Sequence, residues 1–337
     1  MPNEYDILWV DDDKHRRENG RGNVRNTEQI NIITLSPEEV VAELFTESEE
    51  DSKIPENPDL ALVDWYLHTG EYTGDGPSIE GILRDRHPHT PVYAFSGEFG
   101  NQAFERDQKV GESRFAIITA PDRLNNEDLI KDIEDYERIR NKEGSGFDGI
   151  MELLGAPESL REKVQDTLPQ EFAEGLPSEG HSDSNSSLRF ARYIRNEWIE
   201  QPGIIWDEIW TATKIGVDKE EYEKYRPELS SAEYDGIFSH RYNRWWQVKV
   251  QDKLHERARE QGENIGRLWQ DGPELLDVDE PDRATCDVDG CEKPHRPQTV
   301  AAGGPNEPLQ FQVHYKCSNI EQSTASMYED FRVLVRL

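Results

Sequence analysis

Five short apolar runs recur through the first 120 residues: Asp6–Val10 (DILWV), Ile30–Leu35 (INIITL), Leu60–Leu67 (LALVDWYL), Pro91–Phe95 (PVYAF) and Phe115–Thr119 (FAIIT). Each is too short for an ordinary buried helix and several are rich in β-branched side chains, which is the pattern of strands covered on both faces. Helix signals lie between them. Ser36-Pro37-Glu38-Glu39 supplies an N-cap, a proline at the first helical position and an acidic first turn, predicting a helix through Phe45. Further helices are predicted over Ile79–Arg86 and Asn126–Ile139. Strand and helix in this alternation restrict the region to an α/β fold with a doubly wound, five-stranded parallel sheet, in which ligands collect at the carboxyl ends of the strands.

The polar residues at those ends are informative. Asp11, Asp12 and Asp13 follow the first run, Asp64 sits at the polar end of the third, Ser96 follows the fourth, and Ala120-Pro121 follows the fifth. Any one aspartate at a strand end is a common turn former. Several converging on one crevice make the all-oxygen donor set that a hard cation such as Mg²⁺ requires.

This set, over roughly residues 1–140, resembles the receiver domain of two-component response regulators, whose sheet is flavodoxin-like. The resemblance implies that the acidic pair Asp11 and Asp12 holds Mg²⁺ together with Asp64. It makes Asp64 the phosphoacceptor, taking a phosphoryl group from a histidine kinase, and Ser96 the hydroxyl that bonds the phosphoryl oxygens. The domain is then a phosphoacceptor rather than a conventional enzyme, its carboxylate attacking in line while Mg²⁺ neutralises the equatorial oxygens. Three departures stand out. Ala120 occupies the place of the family's lysine, KHRRENGRGNVRNTEQ has only Val24 as an aliphatic for the helix after the first strand, and the loop from Asp64 to Gly76 is longer than is common in the family.

From Asn141 to Ser187 the strand pattern stops. KEGSGFDG reads as a joint, MELLGAPESLREKVQDTL as one or two helices, and PSEGHSDSNSS as a polar break, so the expected division is a receiver-like domain (1–140), a linker (141–187) and a mostly helical second domain (188–337). Leu188 to Ile199 has a helical period ending at Pro202-Gly203, and a second helix is expected from Ile204 through Ile215. With Gly216 and a following helix in DKEEYEKYRPE this has the outline of a helix-turn-helix, although an acidic second helix would meet phosphates with like charge. A helical hairpin in a core is the plainer reading.

The net charge of −32 is spread along the chain, as on the solvated surface of a salt-adapted protein, and repels nucleic acid on average. The stretch from His240 to Arg259 reverses that sign: Arg241, Arg244, Lys249, Lys253, Arg257 and Arg259 face only Asp252 and Glu256. It suits nucleic acid, with Tyr242, Trp245 or Trp246 as stacking platforms, or an acidic protein surface. Alternatively, the tryptophans anchor a core and the arginines solvate a helix face.

All three cysteines fall late, in Cys286-x4-Cys291-x3-His295 and His314-x2-Cys317. Zinc needs four nitrogen or sulfur ligands, and this zinc-knuckle-like β segment offers five candidates: Cys286, Cys291 and Cys317, with His295 or His314 completing the set. Cysteines clustered with histidines, and a polar MPNEYD start, point to the cytoplasm; no run of about 18 apolar residues occurs to cross a membrane. The chain therefore reads as a signalling protein whose receiver controls a partner-binding output domain. Two alternatives stay open: a pseudo-receiver serving as a constitutive docking module in an assembly, which Ala120 favours, and a DNA-binding transcription regulator.

Overall fold

The computed structural model describes residues 5–19, 23–43, 52–67, 72–99, 115–178, 186–200, 203–302 and 310–317. Two compact units interleave along the chain: Met1–Leu153 with Pro169–Asn196, and Leu154–Leu168 with Glu197–Leu337. The stretch expected as a linker, 141–187, thus supplies residues to both units.

In the first unit, β1 (Tyr5–Val10), β2 (Ile30–Leu35), β3 (Leu60–Asp64), β4 (Val92–Phe95) and β5 (Ile117–Thr119) form one sheet in the order β2-β1-β3-β4-β5. All four pairings are parallel. This is the flavodoxin-like doubly wound order of the receiver fold. Ile7 to Val10 and Leu60 to Val63 are essentially inaccessible, which is why these strands read as unbroken apolar runs: helices cover both faces. Among those helices are α1 (Lys14–Asn19), α2 (Pro37–Glu43), α3 (Gly76–Arg86) and the helix Asn126–Arg140.

Local chemistry sets their boundaries. Before α2, the Ser36 amide donates to Glu39 Oε2 (2.8 Å) and the Glu39 amide to Ser36 Oγ (3.2 Å), a reciprocal capping box. Asp75 caps α3 by accepting from the Ser78 amide at 2.9 Å. Gly76 allows α3 to start hard against the end of β3, since a Cβ there would lie 2.6 Å from the Asp64 carbonyl oxygen. α1 has only six residues, KHRREN, because it has no aliphatic face to bury. A buried ion pair ties later segments to the sheet. Arg195 Nη1 lies 3.1 Å from Asp132 Oδ2 and donates to the Tyr93 hydroxyl at 2.7 Å.

The second unit is mostly helical, with two small antiparallel pairings. The helix expected from Ile204 begins only at Glu208. Ile205–Trp206 (β6) instead pairs with Trp245–Trp246 (β7), and Asp207 caps the helix Glu208–Ile215 by accepting from the Trp210 amide at 2.8 Å. That helix ends at Gly216, left-handed at φ 76°, where a Cβ would lie 2.4 Å from the Trp269 carbonyl oxygen. No α-helix follows. DKEEYEKYRPE forms two 3₁₀ turns, Tyr222–Lys224 and Arg226–Ala232, so the helix-turn-helix outline fails. Pro227 cannot donate to a helical ladder, and Tyr222 turns inward to meet Trp245 edge-on at 5.3 Å.

Trp245 and Trp246 are fully buried, which removes them as stacking platforms and makes them core anchors. The helix Gln247–Gln261 adds Val250, Leu254 and Ala258 to that core at a four-residue spacing. Much of the local positive charge is met within the unit. Arg244 Nε donates to the Ile199 carbonyl (2.9 Å), Arg257 pairs with Glu228, and Lys253 lies 3.6 Å from Glu256.

No helix among the described residues is long and apolar enough to cross a membrane.

Candidate functional site

The sheet register assembles the acidic crevice. Val10 of β1 pairs with Val63 of β3, so Asp11 and Asp64 emerge side by side at the carboxyl ends of adjacent strands. Asp64 in turn pairs with Phe95, and Phe95 with Thr119, which sets Ser96 and Ala120 one residue further along the same rim. Asp11, Asp12 and Asp64 each bring a carboxylate oxygen within 4.8 Å of the others. Asp11 and Asp64 are buried, and Ser96, also buried, accepts the Glu98 amide on its hydroxyl at 3.1 Å. Asp13 is different: its carboxylate accepts the His15 and Arg16 amides, which hold its pKa below the usual range and make it the cap of α1.

Burial raises the pKa of Asp64 to about 6, with Arg16 opposing and Asp11 adding to the shift. Asp11 is raised too, again chiefly by burial. Ionising such a cluster calls for a cation. The donor set fits a divalent one: all its ligands are carboxylate oxygens, and Asp11 Oδ2 is buried with no hydrogen-bond partner.

A cationic side chain enters the same crevice. The guanidinium of Arg16 places Nη1 2.8 Å from Asp64 Oδ2 and Nη2 3.4 Å from Asp11 and 3.6 Å from Asp12, while Nε lies 3.5 Å from Asp13. Burial lowers the pKa of Arg16, but the charges of Asp11 and Asp64 outweigh it and leave the group more firmly protonated than usual. Sequence reasoning missed this residue. The available signal was its spacing, four residues from Asp12 and three from Asp13, which one helical turn brings together.

A second cluster forms in the other unit. Cys286, Cys291, His314 and Cys317 bring one sulfur or nitrogen each within 4.8 Å of the rest. Cys291 Sγ is 3.3 Å from His314 Nδ1 and 3.5 Å from Cys317 Sγ, and Cys317 Sγ is 3.7 Å from His314 Nδ1. Tetrahedral zinc with bonds of ~2.3 Å to sulfur and ~2.1 Å to nitrogen has edges of roughly 3.6–3.8 Å, so the donors fit that ion. His314 Nε2 donates to the His295 carbonyl at 2.5 Å, which orients the ring with Nδ1 turned to the sulfurs.

Of the five sequence candidates, His295 is therefore not among the four grouped donors: it contributes its carbonyl and an edge-on ring contact at 4.5 Å. Lys293, which the sequence reading passed over, donates to Cys317 Sγ at 2.7 Å and holds that thiol down to about 6. Two turns shape the cluster: Gly290, at φ 71°, closes DVDG so that the Cys291 amide donates to Val288, and the Cys317 amide donates to His314. Behind them lie β8 (Thr299–Ala302) and β9 (Gln310–Val313). Asp287 accepts the Gln312 amide (2.8 Å), and buried Gln312 donates to Thr213 Oγ1 (3.0 Å) and the Val217 carbonyl (2.9 Å).

No protein-family model and no curated protein matches the sequence. Solved structures similar to part of the chain include the signal receiver domain of the response regulator NarL from Mycobacterium tuberculosis, at 18% identity over 40% of this chain and 96% of that one, with a TM-score of 0.28. The isolated receiver domain of RcsB from Salmonella enterica serovar Typhimurium is 16% identical over 40% and 90%, with a TM-score of 0.28. The response regulator domain of CheB from Thermotoga maritima is 15% identical over 41% and 96%, with a TM-score of 0.24. The likeness is one of fold and covers about two fifths of the chain. The receiver fold itself rests on the parallel order β2-β1-β3-β4-β5.

Proposed function

We propose that this chain is a cytoplasmic signalling protein in which a phosphoacceptor receiver controls a partner-binding output unit. The observation that carries the reading is the convergence of Asp11, Asp12 and Asp64 at one end of the sheet, with Ser96 on the same rim. Asp11, Asp12 and Asp64 would hold Mg²⁺, which when bound supplies neutralisation of phosphoryl charge. Asp64 is the nucleophile. One of its carboxylate oxygens bonds to phosphorus as the bond from phosphorus to the histidine nitrogen of a donor kinase breaks, and the donor imidazole leaves with the electron pair. Ser96 offers a hydroxyl to the transferred group. With a pKa of about 6, Asp64 remains mostly ionised at neutral pH and so retains its nucleophilic form.

Incubation with acetyl phosphate and Mg²⁺, or with a histidine kinase, is expected to add one phosphoryl group by intact mass, and Asp64→Asn to abolish it. No mass increase with either donor would sink the phosphoacceptor reading.

A second reading is favoured by Ala120, a methyl side chain where the receiver family carries a lysine. Here the unit is a constitutive docking module, and a partner complex would survive Asp64→Asn unchanged.

In the output unit, Cys286, Cys291, His314 and Cys317 would hold a structural zinc ion. Metal analysis of the purified chain should give one zinc per molecule, lost on Cys291→Ser.

A further inference from the structure

Arg16 needs its own explanation. Its guanidinium addresses the same three carboxylates that form the candidate divalent site, at 2.8 Å from Asp64, 3.4 Å from Asp11 and 3.6 Å from Asp12. Resting on the reading of that crevice as a divalent-cation site, we propose that Arg16 is a displaceable internal counter-cation, and that a divalent ion enters only as the guanidinium leaves.

Three features carry the argument. The first is exclusion: a magnesium ion bonds oxygens at ~2.0–2.1 Å, so an ion on the Asp11, Asp12 and Asp64 oxygens would lie against a fixed positive charge already in contact with them. The second is freedom to leave. The Arg16 side chain is 39% exposed and stands on the first turn of a six-residue helix, and three of its four carboxylate distances, 3.4 to 3.6 Å, are longer than a good charged hydrogen bond. Arg195 in the same unit, 7% exposed and hydrogen-bonded to Tyr93 and Asp132, has no such exit. The third is composition of the rim: position 120 supplies a methyl group, and among the described residues Arg16 is the cation that meets Asp64. Arg16 therefore lowers the affinity of the crevice for a divalent ion and keeps its carboxylates neutralised until the ion arrives.

The test is a titration of the full chain with Mg²⁺ by calorimetry, checked by the fluorescence of Trp65 beside Asp64, for wild type, Arg16→Gln, Arg16→Lys and Asp11→Asn. Circular dichroism confirms that each variant is folded. Arg16→Gln should tighten the Mg²⁺ Kd at least tenfold, Arg16→Lys should change it less because the charge is retained, and Asp11→Asn should weaken it severely. Equal Kd values for wild type and Arg16→Gln, or weaker binding by Arg16→Gln, with Asp11→Asn still impaired, would overturn the role of Arg16 while leaving the divalent site standing. Absence of Mg²⁺ binding in wild type and in both Arg16 variants would overturn the divalent site and this inference together.

Discussion

The acidic crevice and the cysteine cluster both gather candidate metal ligands, but on scaffolds of unequal strength. The crevice sits at the strand ends of a five-stranded sheet whose core includes Leu8, Val10, Ala61 and Val63, and its carboxylates have a protein cation, Arg16, at hand. The cysteine cluster hangs on two turns and a two-stranded pairing whose local apolar group is Ala301 and Val313, with Cys286 and Phe311 packed against it. It is tied to the rest of its unit by Val300 of β8, which joins the unit's main apolar core, and by polar contacts through Asp287, Lys219 and Gln312. A metal would thus adorn a sheet that stands without it in the first case, and hold the surrounding chain together in the second.

The largest effect should come from breaking the weaker scaffold. Structural zinc contributes about 10–16 kcal/mol of apparent binding free energy in small domains, far more than the buried Ala301 and Val313 and the partly buried Phe311 can return. Cys291→Ser, or a strong chelator, is expected to abolish hydrogen-exchange protection over residues 286–302 and 310–317 while leaving β1 and β3 protected. Unchanged protection at 286–302 and 310–317 would show that Val300 and the polar ties suffice, and the contrast between the two sites would collapse.

Next in size is a contrast between two arginines of the first unit. Arg195→Ala removes the cation beside Asp132, a carboxylate with no exposure, and should destabilise by about 3–5 kcal/mol. Arg16→Ala takes a partly exposed cation from the crevice mouth and should change stability by about 1 kcal/mol or less. Urea midpoints measure both. Similar losses would mean that Arg16 is a structural tie, at odds with its being displaceable.

How much of this was legible in the sequence follows the strength of each periodic signal. The five strands could be read to within a few residues because strands buried on both faces are uniformly apolar and bounded by polar ends, and Asp11, Asp12 and Asp64 marked those ends. Arg16 was not legible as a site residue because α1 has no apolar stripe to say which way its side chains turn. In the second unit, two-residue strands such as Ile205–Trp206 and Trp245–Trp246 are too short to show any alternation, so a strand was read as the start of a helix. The run DKEEYEKYRPE has helix formers in number, yet burial of Tyr222 and the missing amide of Pro227 override propensity there. Cysteine spacing located the second cluster, but choosing His314 over His295 required the carbonyl contact that only the folded turn makes.

The smallest effect concerns pH, and it separates the sites by sign. Burial lifts Asp64 from 3.8 to about 6, so the folded chain holds that proton more tightly than the unfolded chain does. The favourable contribution is complete below pH 3.8 and is lost as pH rises through about 6, amounting to roughly 1–3 kcal/mol. Without added magnesium, wild type should lose stability relative to Asp64→Asn between pH 4.5 and 7.5, because the amide stays neutral throughout. Urea midpoints of the two proteins give this difference directly. Added Mg²⁺ should recover the loss at pH 7.5 and do little at pH 4.5, since it binds the ionised, folded form. In the cysteine cluster, Cys317 runs the other way, while burial raises Cys286. Lys293 holds the Cys317 thiol down to about 6, so its thiolate is present above that pH and is lost as pH falls through it. A pH-independent difference between wild type and Asp64→Asn would mean that the Asp64 carboxyl ionises like a solvated one, and the crevice would no longer be a place where negative charge is costly enough to require a cation.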